Sequence, residues 1–274
     1  MQELRILLHD PLSEHFHFIR IQSACWEPDP YRPRDFLPNL FVEFAKFGTM
    51  GTFLENIEST YVWKQRMILD VTEALAALHA CGIAHSDVKL DNILVFPCED
   101  VKFPLVAKLS DFGFLVDLAE ASGLVGLTPV WAAPEVLHGK PDIGLAQADV
   151  YSLGFVIWVI AAADATLFES SRFADPNTSM ETWTMWKETN ELVSMAVGQM
   201  YALEQLPHDT DVDEICLLLD ATLQRDPAER QLQVVLNCLR EQCARESRHE
   251  PGTVPPVPIT PFDPNEVGLH VCNN

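Results

Sequence analysis

The stretch His85-Ser86-Asp87-Val88-Lys89-Leu90-Asp91-Asn92 brings a carboxylate, a cation and a carboxamide close together, and Asp111-Phe112-Gly113 adds a second carboxylate farther on. These are the groups that phosphoryl transfer from a magnesium nucleotide requires. That reaction calls for little covalent help from a protein; it calls for positioning and charge neutralisation. One carboxylate must orient the attacking hydroxyl and accept its proton. Hard oxygens must hold Mg²⁺ against the phosphates. A lysine beside the transferred group acts as a point charge. Asp87, Asn92, Asp111 and Lys89 can fill these roles.

The elements that must position them are legible on either side. Between Val62 and Ala80, the residues Met67, Ile68, Val71, Leu75 and Leu78 recur at helical spacing, and Gly82 supplies the stop. Ile93–Phe96 and Leu105–Leu109 predict two short strands joined by the polar loop 97–104. The candidate residues therefore sit on a loop between a helix and a strand, where side chains can converge without disturbing either. Further helices are predicted over Gln147–Ala163, Met180–Leu203, Asp213–Gln224 and Leu232–Ala244, with a short one from Pro134 to Leu137. The apolar run Val150–Ala163 is shorter than the ~20 residues of a membrane span and predicts a core helix.

Before the central helix, residues 2–9 predict the end of a helix and Asp10-Pro11 a break. His15–Ile21 alternates and predicts a strand with His15 and His17 on one face. Trp26–Asn39, with prolines at 28, 30, 33 and 38, predicts a surface loop. Leu40–Phe44 predicts a buried strand, and Thr52–Ile57 a short helix. Residues 114–133 predict irregular structure, and the proline-rich tail Pro251–Pro264 an extended one. Strands thus fall before residue 110 and helices dominate after it.

The formal net charge of -22 over 274 residues argues against nucleic acid and anionic membrane as partners, because both select clustered Lys and Arg. Seven cysteines without a Cys-x-x-Cys pair predict reduced thiols in an intracellular, cytoplasmic protein. The N-terminus shows no basic segment followed by an apolar run, so no signal peptide is expected.

Four motifs in order, His85-x-Asp87-x-Lys89-x-x-Asn92, Asp111-Phe112-Gly113, Ala133-Pro134-Glu135 and Asp149-Val150-Tyr151-Ser152-Leu153-Gly154, resemble the signatures of the eukaryotic protein kinase superfamily. The resemblance runs over about residues 2–245 and implies an α+β, protein-kinase-like fold. A partial small β-lobe (1–47) would be followed by a mainly α-helical large lobe (48–245) and a proline-rich tail (246–274). By resemblance, Asp87 is the catalytic base and Lys89 the cation at the transferring phosphate, in a position similar to serine/threonine kinases. Asn92 and Asp111 are the implied Mg²⁺ ligands. Glu43 and Ala45 resemble the hinge that bonds adenine of ATP, with Leu94 beneath the base. Thr128 would bridge Asp87 and Lys89, Arg230 would pair with Glu135, and Asp149 would anchor the catalytic loop. His85 and Phe112, with Gly113 following, resemble the core spine that joins the lobes. The implied partner is a protein substrate.

Two departures shape the expectation. Glu3 resembles the small-lobe helix glutamate, but the strand lysine it should meet has no counterpart, since the first Lys is Lys46 and the first Gly is Gly48. The sequence therefore reads as an N-terminally truncated kinase of weak or no activity, its incomplete small lobe open to a covering partner. The alternative is a pseudokinase, a regulatory binding module without phosphotransfer. Ser86 stands where the family usually has arginine, which predicts activity independent of activation-segment phosphorylation.

Overall fold

The computed structural model describes residues 10–28, 31–32, 36–57, 60–100, 102–119, 128–139, 144–162, 180–189, 191–202 and 211–248. The elements before the loop are α1 (Asp10–Ser13), β1 (Ile21–Pro28), β2 (Phe36–Val42), α2 (Met50–Asn56) and α3 (Tyr61–Ala80). Around the loop lie β3 (Ile83–Ala84), β4 (Ile93–Pro97), β5 (Leu105–Leu109) and β6 (Val116–Asp117). The helices that follow are α4 (Pro134–Leu137), α5 (Leu145–Ala162), α6 (Met180–Glu188), α7 (Glu191–Ala202), α8 (Val212–Thr222) and α9 (Leu232–Arg248). This is a small β-lobe followed by a helical large lobe.

Helices α3 and α5 carry the core. The Thr60 hydroxyl accepts from the Trp63 N–H and starts α3, and Gly82, at φ 73°, lets the chain leave it. Met67, Val71, Leu75 and Leu78 are fully buried, as their spacing predicts. Helix α5 is apolar on every side, and its residues from Ala148 to Ala161 are all buried. By length and composition such a helix could cross a membrane. Here it lies in the core, in contact with α3 and α8. Gly154 allows the close approach to α8, since a Cβ there would stand 2.5 Å from Thr222 Oγ1 and 2.6 Å from Leu223 Cδ2.

Strands β4 and β5 pair antiparallel, Ile93 opposite Leu109, and β3 pairs with β6. The first of these ladders hangs the candidate loop from the core, because Ile93, Val95 and Leu109 are fully buried.

The N-terminal part departs from the sequence reading. Asp10-Pro11 opens α1 instead of breaking the chain, as Pro is tolerated in a first turn. His15–Arg20 forms turns with one parallel bridge, Phe18 to Leu109, and the strand begins only at Ile21. His17 is buried against Asp70 and Glu73 of α3, its Nε2 3.3 Å from Glu73. Within the predicted 26–39 loop, residues 26–28 and 36–39 belong to the paired strands β1 and β2, with Pro38 opposite Trp26 and Pro28 opposite Phe36. Proline is tolerated there because a two-stranded pair consists of edges only. Phe41 and Phe44 are 55% and 65% exposed, so Leu40–Phe44 is not a buried strand. Met180–Leu203 is two helices, α6 and α7, and α9 runs past Ala244 to Arg248. Glu3 and the other residues before Asp10, residues 120–127, and the tail from 249 lie outside the described residues.

Candidate active site

The loop is fastened from below by Asp149, a nearly inaccessible residue of α5. Asp149 Oδ2 accepts from the His85 N–H at 2.7 Å and from His79 Nε2 at 2.9 Å; Oδ1 accepts from the Ser86 N–H at 2.8 Å. A buried carboxylate with three donors is satisfied. Asp149 also sits inside α5 rather than at its start, so it caps no helix. His79 was not singled out in the sequence; its place in the last turn of α3 was the available signal.

His85 is fully buried. Its Nδ1 accepts from the Asp87 N–H, so Nε2 carries the proton and donates to Ser110 O at 3.1 Å. Burial pushes its pKa down, and the ring is neutral. Phe112 stacks edge-on against His85, and Phe18 against Phe112, at 5.8 and 5.7 Å between centroids. Phe18 completes this aromatic column, which the alternation of His15–Ile21 does not reveal. Ser86 and Asp111 are the non-glycine residues with positive φ among the described ones, at 65° and 57°. A left-handed conformation costs an ordinary side chain about 1–2 kcal/mol, and the surrounding bonds hold both residues there. The Ser86 hydroxyl is buried without a hydrogen-bond partner.

The structure brings Asp87, Lys89, Asn92 and Thr128 into direct contact. Thr128 Oγ1 donates to Asp87 Oδ1 at 2.7 Å, while Lys89 Nζ lies 2.8 Å from Oδ2 and donates to Thr128 Oγ1 at 3.1 Å. Asn92 Nδ2 donates to Asp87 Oδ2 at 3.0 Å and to its backbone carbonyl at 2.8 Å. Burial by itself pushes the Asp87 carboxyl up. Hydrogen bonds from Lys89 and Thr128, the Lys89 charge and the Asn92 amide outweigh it and hold the group below its ordinary range. A carboxylate has about four lone-pair directions, so three donors leave room for one more.

Asp111 is held beside this cluster, because the Ser110 N–H and hydroxyl both donate to Asn92 O, at 2.8 and 3.0 Å. Asp111 Oδ1 accepts from the Gly113 N–H at 3.3 Å, which leaves Oδ2 without a donor among the described residues. The Asn92 amide nitrogen is committed to Asp87, and its Oδ1 has no donor either. Two hard oxygens, each without a donor among the described residues, suit Mg²⁺, which takes one or two protein ligands and fills its octahedron with water and phosphate.

At the expected hinge, Glu43 Oε1 takes Lys108 Nζ at 2.6 Å and the Arg20 N–H at 2.9 Å, and the Glu43 N–H bonds Arg20 O. The Glu43 carbonyl and the Ala45 N–H have no partner among the described residues, which suits the donor and acceptor edge of adenine. Leu94 lies next to this connection through its bridge to Thr49. Farther out, Arg230 grips Glu135 with two parallel bonds of 2.5 and 2.9 Å and also donates to three backbone carbonyls, so the buried pair is fully bonded. Among the described residues no group of three or more His, Cys, Asp or Glu is arranged to hold a metal ion.

The protein kinase domain profile matches residues 1–238. A dual serine/threonine and tyrosine protein kinase of Apis mellifera is 32% identical over 172 residues, covering 62% of this chain and 16% of that protein. The kinase of the same description from Canis lupus familiaris is 30% identical over 194 residues, 69% of this chain and 18% of its own length. That of Pimephales promelas is 28% identical over 205 residues, with coverages of 72% and 20%. The chain spans a fifth or less of these relatives. With the ordered motifs, the helical large lobe and a profile that covers most of the sequence, the chain belongs to the protein kinase family.

Proposed function

We propose that this domain transfers the γ-phosphoryl group of ATP to serine or threonine hydroxyls of a protein acceptor. The observation that carries the reading is Asp87, buried, ionised and held by Lys89, Thr128 and Asn92, with a lone-pair direction still open. Asp87 orients the acceptor hydroxyl and takes its proton as the oxygen attacks the γ-phosphorus and the bond to the bridging oxygen breaks, with ADP as the leaving group. Lys89, already 2.8 Å from Asp87, neutralises charge on the group in transit. Asn92 and Asp111 would hold Mg²⁺, which when bound supplies charge neutralisation at the phosphates. Glu43 and Ala45 would present backbone groups to adenine, with Leu94 beneath it. A small hollow lies beside Asp87, lined among others by Ser86, Val88, Thr128, Trp131 and Ala148.

The relatives described as dual-specificity kinases make the acceptor residue the point to test. Radiolabelled transfer to a mixed protein acceptor, followed by phosphoamino-acid analysis, is expected to show phosphoserine and phosphothreonine. Phosphotyrosine as the main product would overturn the serine/threonine assignment. The second reading, a regulatory binding module, is favoured by the exposed aromatic residues of β1–β2. ATP–Mg²⁺ binding that Asp111→Asn weakens, with no transfer to any acceptor, would decide for it. The free thiols of Cys25, Cys81, Cys98, Cys216 and Cys238 support a reducing, intracellular location.

A further inference from the structure

Lys187 lies on α6, is 1% exposed, and takes no part in the cluster around Asp87. Its ammonium donates to three backbone carbonyls of one short segment: Pro129 at 2.9 Å, Val130 at 2.7 Å and Ala132 at 2.6 Å. An ammonium has three protons and no acceptor, so three converging carbonyls use it fully. The rings of Phe155 and Tyr151, 5.0 and 5.8 Å from Nζ, lie against the same charge. The remaining carbonyls of the segment are engaged as well. Trp131 O accepts from the Ser152 hydroxyl at 2.9 Å, and Thr128 O accepts from the Trp131 and Ala132 N–H groups. The segment that begins with Thr128 is thus held by its carbonyls from α5 and α6, while the Thr128 hydroxyl reaches Asp87.

We propose that Lys187 is a positioning residue for phosphoryl transfer: it clamps the Pro129–Ala132 backbone and thereby sets Thr128 against Asp87 and Lys89. The proposal rests on the transferase reading, with Lys187 acting through the segment and touching no reacting atom. Burial pushes the lysine down to about 7, and Glu135 pulls the other way. The three carbonyls also favour the charged form. Arginine could not replace it, because a planar fork does not converge on one point.

The test compares the chain with Lys187→Met, which keeps the stem and removes the charge, using Asp87→Asn as control. Backbone hydrogen exchange is measured over 128–139 and over α5, and transfer from ATP to myelin basic protein is followed at steady state. The expected result is faster exchange confined to 128–139. The kcat/KM for the acceptor should fall by about tenfold or more while the KM for ATP stays within about twofold, since small displacements of a positioned group are costly. Unchanged exchange, or a loss spread equally over α5, would overturn the clamp. Localised exchange with unchanged acceptor kinetics would overturn its role in transfer. No transfer by the parent chain would instead refute the transferase reading, and the exchange result would still judge the clamp. If Lys187→Met does not fold, Lys187→Gln, which keeps an amide donor, is expected to show a smaller change of the same pattern.

Discussion

Two parts of the molecule handle awkward side chains in opposite ways. In the large lobe, Asp149, Asp87 and Glu135 are carboxylates no more than 9% exposed, and each meets at least two donors. In the hairpin β1–β2, Trp26, Phe36 and Phe41 are apolar and more than half exposed. These three buried carboxylates are each answered by donors, whereas the hairpin leaves aromatic area exposed. The first region should resist change and transmit it, whereas the second should tolerate it.

The contrast can be tested from its strongest consequence downward. Removing one partner of the buried Glu135–Arg230 pair, by Glu135→Ala, is expected to cost about 3–5 kcal/mol, read from the urea midpoint, because it strands a buried guanidinium. A loss under about 1 kcal/mol would mean the pair is solvated. Gly154→Ala drives a Cβ into Thr222 and Leu223. It should cost about 1–3 kcal/mol by overpacking, with the thermal midpoint as the measure. Trp26→Ser in the hairpin should stay within about 0.5 kcal/mol of the parent, as a surface change does. A larger effect would show that the hairpin face is covered.

Protonation sharpens the same contrast. The Asp87 carboxyl is held below its ordinary range, so its stabilising contribution is present above the unfolded carboxyl value, near 3.9, and is lost as pH falls through the folded value. Turnover should therefore hold level as pH falls from 7 towards 5. In Lys89→Met the burial of Asp87 is less opposed, and the acid limb should move to higher pH. An acid limb at the same pH in both proteins would remove Lys89 from control of Asp87.

Much of this frame could be read before any coordinates. Helix α3 and strands β4 and β5 were legible because Met67, Val71, Leu75 and Leu78 keep one period and Ile93–Phe96 stays apolar between turns. The hairpin was not, because Pro28 and Pro38 argue for a loop unless the strands are known to be edges. His17 escaped because its burial depends on Asp70 and Glu73, far along the chain on the face of α3 that meets it. At the site, the Thr128 bridge between Asp87 and Lys89 was expected from the resemblance, whereas the Asn92 bond to Asp87 was not. Lys187 was not, since its acceptors lie 55–58 positions upstream and only packing brings them to it. Local pattern shows which groups exist, and tertiary convergence decides which of them meet.

The central claim is that Asp87 serves as the base in phosphoryl transfer. Its most direct test is transfer of the γ-phosphoryl group from ATP–Mg²⁺ to myelin basic protein by this chain and by Asp87→Asn, with urea midpoints matched to show both are folded. The account predicts transfer by the parent and a fall in kcat of about 100-fold or more in the variant. Equal rates in the two proteins, or no transfer by a parent that binds ATP–Mg²⁺, would contradict it.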